Sequence, residues 1–161
     1  MPVLTIPANY DGEVTDIVGI GKLKDDTATF IRIGLNVIGV LQYMRRGFLR
    51  FPLTALPSGS TVTQVRLYVY CRVAGAATHL LDIHGYGYPY GTGQGNPETD
   101  NASYDVLWVS CAGGAPPSGP SPPYVNDSTL LRTTGDKWFT LGAVACTDVQ
   151  NAKAAVNRFA I

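Results

Sequence analysis

The chain has 161 residues, enough to bury one core and too few for a second catalytic domain beside it, and its 12 Lys+Arg balance 12 Asp+Glu. No basic or acidic run breaks that balance, so the electrostatic footprint of a nucleic-acid-binding protein is missing. Only 15% of residues are charged, against roughly 25% in an average soluble domain, while 18 Gly, 11 Pro and 9 Tyr are generous, the profile of a turn-rich β protein with a weakly charged surface.

At the start, Met1-Pro2-Val3-Leu4-Thr5-Ile6-Pro7 has neither the basic nor the continuous apolar region of a secretory signal. The expectation is a chain made in a cytoplasm, or one from which a signal has been cut. Asp16 to Ile20 and Thr27 to Leu35 read as β-rich runs, separated by a hairpin-like polar break at residues 21–26. The longest apolar stretch, Phe30 to Leu41, is interrupted by Arg32, Asn36 and two glycines, well short of the ~20 apolar residues of a membrane span. Arg46 to Phe51 reads as a strand, and Pro52, Pro57 and Ser58-Gly59-Ser60 supply turn chemistry after it. From Val62 to Val73 the period is two: Val65, Leu67, Val69, Cys71 and Val73 alternate with Gln64, Arg66, Tyr68, Tyr70 and Arg72. That is a strand with one buried and one open side.

Shorter strands follow at Leu80 to Ile83, Val106 to Val109 and Lys137 to Leu141, with Gly/Tyr/Pro and Gly/Pro loops at 85–91 and 113–123. Thr147 and Gln150 have capping-box spacing before Ala152, Lys153, Ala154 and Ala155, which predicts one short helix ahead of a last strand at Arg158 to Ile161. Cys71, Cys111 and Cys146 are an odd number without metal spacing and are expected as buried or half-buried thiols, with one disulfide as the lesser option. Many short strands and one brief helix, with no linker or repeat, predict an all-β chain: residues 1–161 as a single antiparallel two-sheet jelly-roll β-sandwich.

Residues 46–70 carry Leu49-Arg50-Phe51, a Leu56-Pro57-Ser58-Gly59 loop and Leu67-Tyr68-Val69-Tyr70. This resembles the disaggregatase-related (DNRLRE) family of jelly-roll domains, similar to the β-sandwiches of carbohydrate-binding modules. Trp138, Asp148-Val149-Gln150 and Phe159-Ala160-Ile161 fall where that family has a tryptophan strand, a helical turn and a closing strand. The resemblance implies a non-catalytic sandwich of the kind attached to secreted carbohydrate-active enzymes or found in surface and virion proteins.

Catalysis finds little to work with. His79 and His84 are the only imidazoles, and although Asp82 and His84 share a strand face, that is also the ordinary outer face of a strand whose inner residues are Leu81 and Ile83. No nucleophile elbow, phosphate loop or zinc-protease motif occurs, and an enzyme is not expected. Asp11, Glu13, Asp16 and the Asp25, Asp26 pair are the carboxylates a structural calcium would draw on. Acidic residues in turns are ordinarily solvated turn formers, so no cofactor is expected.

The tyrosines are more informative. Tyr68 and Tyr70 share a face with Arg66 and Arg72, and Tyr86, Tyr88 and Tyr90 follow in the next loop. Such rings anchor protein interfaces, stack on sugars, or pack beneath a protein's own loops. The leading expectation is a structural or assembly protein: a virion component, such as a phage capsid decoration or tail protein, or a filament subunit, at a virion or extracellular surface. Its partners would be copies of itself or other virion or surface proteins, with no nucleic acid and no membrane insertion. The alternative is a carbohydrate-binding module of a secreted protein, gripping glycan through the same tyrosines.

Overall fold

The computed structural model describes residues 3–27, 29–74, 80–86, 96–98 and 123–161. Among them the strands are β1 (Tyr10–Ile17), β2 (Gly21–Asp25), β3 (Gly34–Ile38), β4 (Leu41–Pro52), β5 (Val65–Cys71), β6 (Leu81–Ile83), β7 (Val125–Ser128), β8 (Gly135–Leu141) and β9 (Arg158–Ala160). A 3-10 turn at Leu130–Arg132 precedes β8, and the helix α1 (Ala143–Ala155) joins β8 to β9. Every strand pair is antiparallel. The molecule is an antiparallel β protein with one α-helix among its described residues, in accord with the class read from composition and turn spacing.

The largest sheet runs β2-β1-β4-β3, and β9 pairs with β4 as well. The 12 residues of β4 make this possible. One edge is taken by β1 from Tyr43 to Arg50, and the other is shared by β3 at residues 41–45 and β9 at residues 50–52. Residues 29–33 cross this sheet over Gly47, where a Cβ would lie 2.5 Å from Ile31 Cγ2, so glycine is required for the close approach. Two further pairs, β5 with β8 and β6 with β7, complete the strands. Backbone bonds tie these pieces together: Tyr86 N donates to Ala160 O at 2.9 Å and Gly142 N to Tyr124 O at 3.3 Å.

The period of two in β5 sends Leu67 and Cys71 inward and leaves Arg66, Tyr68 and Tyr70 exposed. In β8 the same alternation buries Phe139 and Leu141 and exposes Asp136, Trp138 and Thr140. Helix α1 lays Ala145, Val149 and Ala152 against that inner surface, a spacing of four and three that forms one helical stripe. Leu53, Ile83, Tyr124, Phe159 and Ile161 close the cluster. A second, smaller cluster gathers Val14, Phe48, Tyr86 and Ala160, with Tyr10 at its margin. Alternation along β9 serves both, because Phe159 and Ile161 point one way and Ala160 the other.

Several boundaries differ from expectation, each for a physical reason. The polar break at 21–26 is largely strand β2, whose Lys22, Lys24 and Asp25 suit a sheet edge and hide the alternation. The first strand starts at Tyr10 and stops at Ile17, so the run to Ile20 is the turn after it. The run placed at 27–35 becomes β3 only from Gly34, residues 29–33 being the crossing segment, and β4 extends well beyond Arg46 to Phe51. Strand β7 carried no alternation strong enough to announce it. The helix begins at Ala143, with Gly142 as its N-cap and no side-chain cap. Thr147 therefore lies inside it, its hydroxyl donating to Ala143 O at 3.3 Å. Val106 to Val109, the loop at 113–122 and Cys111 lie outside the described residues, while Cys71 is a buried and Cys146 a half-buried free thiol.

Candidate functional site

The outer face of the β5–β8 pair is the most distinctive surface. The register sets Arg66 opposite Thr140, Tyr68 opposite Trp138 and Tyr70 opposite Asp136. Cross-strand neighbours of this kind touch on one face of a sheet, and the result is a patch of two tyrosines, one tryptophan and one arginine. Tyr68, Tyr70 and Trp138 are 48%, 67% and 51% exposed, far above core aromatics such as Phe139. The Tyr68 and Trp138 rings lie 4.9 Å apart and are tilted by 49°. The Arg66 guanidinium sits 4.6 Å from the Trp138 ring centre, close enough for cation–π attraction. The Tyr68 hydroxyl donates to Asp136 Oδ1 at 2.5 Å, and this acceptor carboxylate holds the phenol's pKa above its usual range. Arg72, just beyond β5, lies over Phe30 at 5.5 Å, with Arg32 near the same ring at 5.8 Å.

Of the residues singled out from sequence, Tyr68, Tyr70 and Arg66 thus meet in one patch, while Arg72 is engaged with Phe30. Tyr86 does not join them. It is fully buried, its ring 6.4 Å from Phe48, because the chain after β6 runs along β9 and carries it into the second cluster. Its place is in the core and not among the surface tyrosines. Tyr88, Tyr90 and His79 lie outside the described residues. Trp138 belongs to the patch although reading the tyrosines alone passes over it. Its signal was available: Lys137, Phe139 and Leu141 alternate with Asp136, Trp138 and Thr140, so a buried Phe139 turns Trp138 outward. On β6, Asp82 is exposed and Ile83 buried, and His84, just past the strand, is half-buried.

Three of the acidic residues in and beside the first two strands, Glu13, Asp25 and Asp26, are engaged by cations. Glu13, only 1% exposed, accepts from Arg32 N at 2.6 Å and Arg32 Nε at 3.1 Å, and Arg45 Nε stands 3.5 Å away. Asp25 accepts from Arg32 and from Thr27, and Asp26 pairs with Lys24 at 3.0 Å and takes the Tyr10 hydroxyl. Glu13, Lys24, Asp25, Arg32 and Arg45 border an open cleft of about 430 Å³ that also reaches Leu23 and Tyr43. With two arginines and a lysine beside them, these three carboxylates are charge-paired within the chain. Among the described residues no group of three or more potential metal ligands occurs, and no described helix is long and apolar enough to cross a membrane. No protein-family model, no curated protein and no solved structure matches the chain.

Proposed function

We propose that this chain is a non-catalytic assembly protein, a virion component such as a phage capsid decoration or tail protein or a filament subunit. In this reading its strands belong to a jelly-roll β-sandwich of the disaggregatase-related kind, and the β5–β8 face docks a neighbouring protein. The observation that carries it is the uncovered patch of Tyr68, Tyr70, Trp138 and Arg66. Trp, Tyr and Arg are the residues most often found to dominate binding energy at protein interfaces. Here they are mounted on paired strands, and the Tyr68–Asp136 bond and the Arg66–Trp138 contact restrain three of the four side chains, which lowers the freedom lost on docking.

A sugar ring stacks best on an open, flat aromatic face. Arg66 lies over the Trp138 ring and Tyr68 is tilted against it, which leaves Tyr70 as the open ring of the patch. That geometry favours a protein partner over a glycan. Negative-stain electron microscopy of the chain at rising concentration, beside Trp138→Ala, tests the reading. Regular particles larger than a dimer are expected for the parent chain and are lost in the variant. Dispersed chains that bind a glycan array through Tyr70 would transfer the patch to carbohydrate recognition.

A further inference from the structure

Strand β3 is exposed at all five of its residues, and among the described residues nothing pairs with its outer edge. The two edges of the sheet differ sharply in chemistry. At the β2 edge stand Lys22, Lys24 and Asp25, charges that discourage pairing with another strand. At the β3 edge stand Gly34, Leu35, Asn36, Val37 and Ile38, with no charge and no proline. An edge of this composition is a template for strand addition.

The hydrogen-bonding direction of β3 follows from its neighbours. Val18 N donates to Gln42 O at 3.1 Å, so the Gln42 backbone faces β1 and its opposite number Val37 makes no bonds to it. Alternation then turns Gly34, Asn36 and Ile38 toward β4 and leaves the N–H and C=O of Leu35 and Val37 pointing outward. We propose that this edge pairs with the same edge of a second copy, antiparallel about a twofold axis through Asn36. That register sets Leu35 opposite the second copy's Val37 and Val37 opposite its Leu35. All four outward groups of each chain are satisfied, four bonds form, and the two sheets become one.

The register is self-complementary, as a twofold contact requires. It also carries Ile33 and Val40 alongside the second copy. Val40, in the two-residue turn after β3, is 96% exposed, and Ile33, Leu35, Val37 and Ile38 are each about half exposed. Even complete covering of these five residues would remove at most on the order of 1,000 Å² from water over two copies, below the standard size of a stable interface, so the dimer is a weak and reversible one. The inference deepens the assembly reading by naming a second copy as partner, at a surface separate from the aromatic patch.

Sedimentation equilibrium of the full chain over a wide concentration range is the test. The parent is expected to dimerise reversibly. Val37→Pro deletes two of the four bonds without touching the β4 pairing and is expected to weaken the dimer about tenfold or more. Asn36→Lys, which sets like charges directly opposite each other, acts in the same direction and keeps the test informative should the proline variant unfold. Asn36→Cys is expected to cross-link two chains on mild oxidation where the parent does not, because a pair without mutual backbone bonds holds its Cβ atoms within disulfide reach. A parent that stays monomeric throughout, or a dimer that folded Asn36→Lys leaves unweakened, overturns the proposal. Trp138 takes no part in this pairing, so Trp138→Ala leaves the dimer intact while removing larger particles, and each reading fails separately.

Discussion

Asp148 shows how one side chain ties a helix to a strand at some cost. It accepts the Tyr124 hydroxyl at 2.6 Å, yet burial pushes its carboxyl pKa up, the hydrogen bond only partly opposing it. Burial, with the carboxylate beside it, also drives the Tyr124 phenol far above its usual range, so the tyrosine remains a donor at any ordinary pH. A raised carboxyl pKa means that the folded chain holds this proton more tightly than the unfolded chain. The associated stability is therefore complete below the unfolded pKa and is lost as pH rises through the folded one. Asp148→Asn imitates the protonated form. It is expected to be more stable than the parent at pH 7, by a shift in urea midpoint that vanishes as pH falls through the carboxylate range. A shift of equal size at both ends of that range would contradict the account. Glu13 is buried and faced by two guanidinium groups, those of Arg32 and Arg45. Removing it as Glu13→Ala takes the carboxylate from the largely buried Arg45, whereas Arg32 is 45% exposed and stays solvated, and is expected to cost about 1–3 kcal/mol in chemical denaturation.

Helix α1 fixes the loop after β4 by a single amide. Gln150 Nε2 donates to Ser60 O at 2.6 Å and Val62 N donates to Gln150 Oε1 at 2.9 Å, so the side chain pairs with the loop as a strand would. Gln150→Ala leaves both loop groups unpaired and is expected to cost about 1–3 kcal/mol, with faster hydrogen exchange at the Val62 amide as the local readout. Gln150→Glu, which keeps the acceptor and loses the donor, should fall between. Sequence had marked Gln150 as half of a capping box with Thr147. Its partner, Ser60, lies ninety positions away in the chain, a relation no local spacing encodes. The helix start at Ala143 is likewise set by which turn buries Ala145, Val149 and Ala152 rather than by a cap. Strands β5 and β8 were legible because each has one wet and one dry face. Strand β2 was not, being short, charged and at an edge, and neither was the burial of Tyr86, which depends on β9 lying beside it.

At the scale of the whole molecule, β9 unites what would otherwise be two separate clusters. Its three residues pair with the end of β4, and its alternating side chains enter both cores. Phe159 is 3% exposed and stacks on Tyr124 with ring centres 6.0 Å apart. Phe159→Ala is expected to cost about 3–5 kcal/mol, the range for a buried aromatic. The clusters share this strand, so tryptophan fluorescence and far-UV circular dichroism should report one coincident transition, in the variant as in the parent; separate midpoints would mean that the clusters melt independently. The same strand sets the order of events during folding. Strands β1 with β2 and β3 with β4 are neighbours in sequence, pairings of the kind that closes in microseconds, whereas Arg50 pairs with Ala160 across 110 positions of chain. Such distant pairings make a slow folder. Until β9 arrives, the far end of β4 is itself an open edge, and refolding at high protein concentration is where chains will be lost to aggregation.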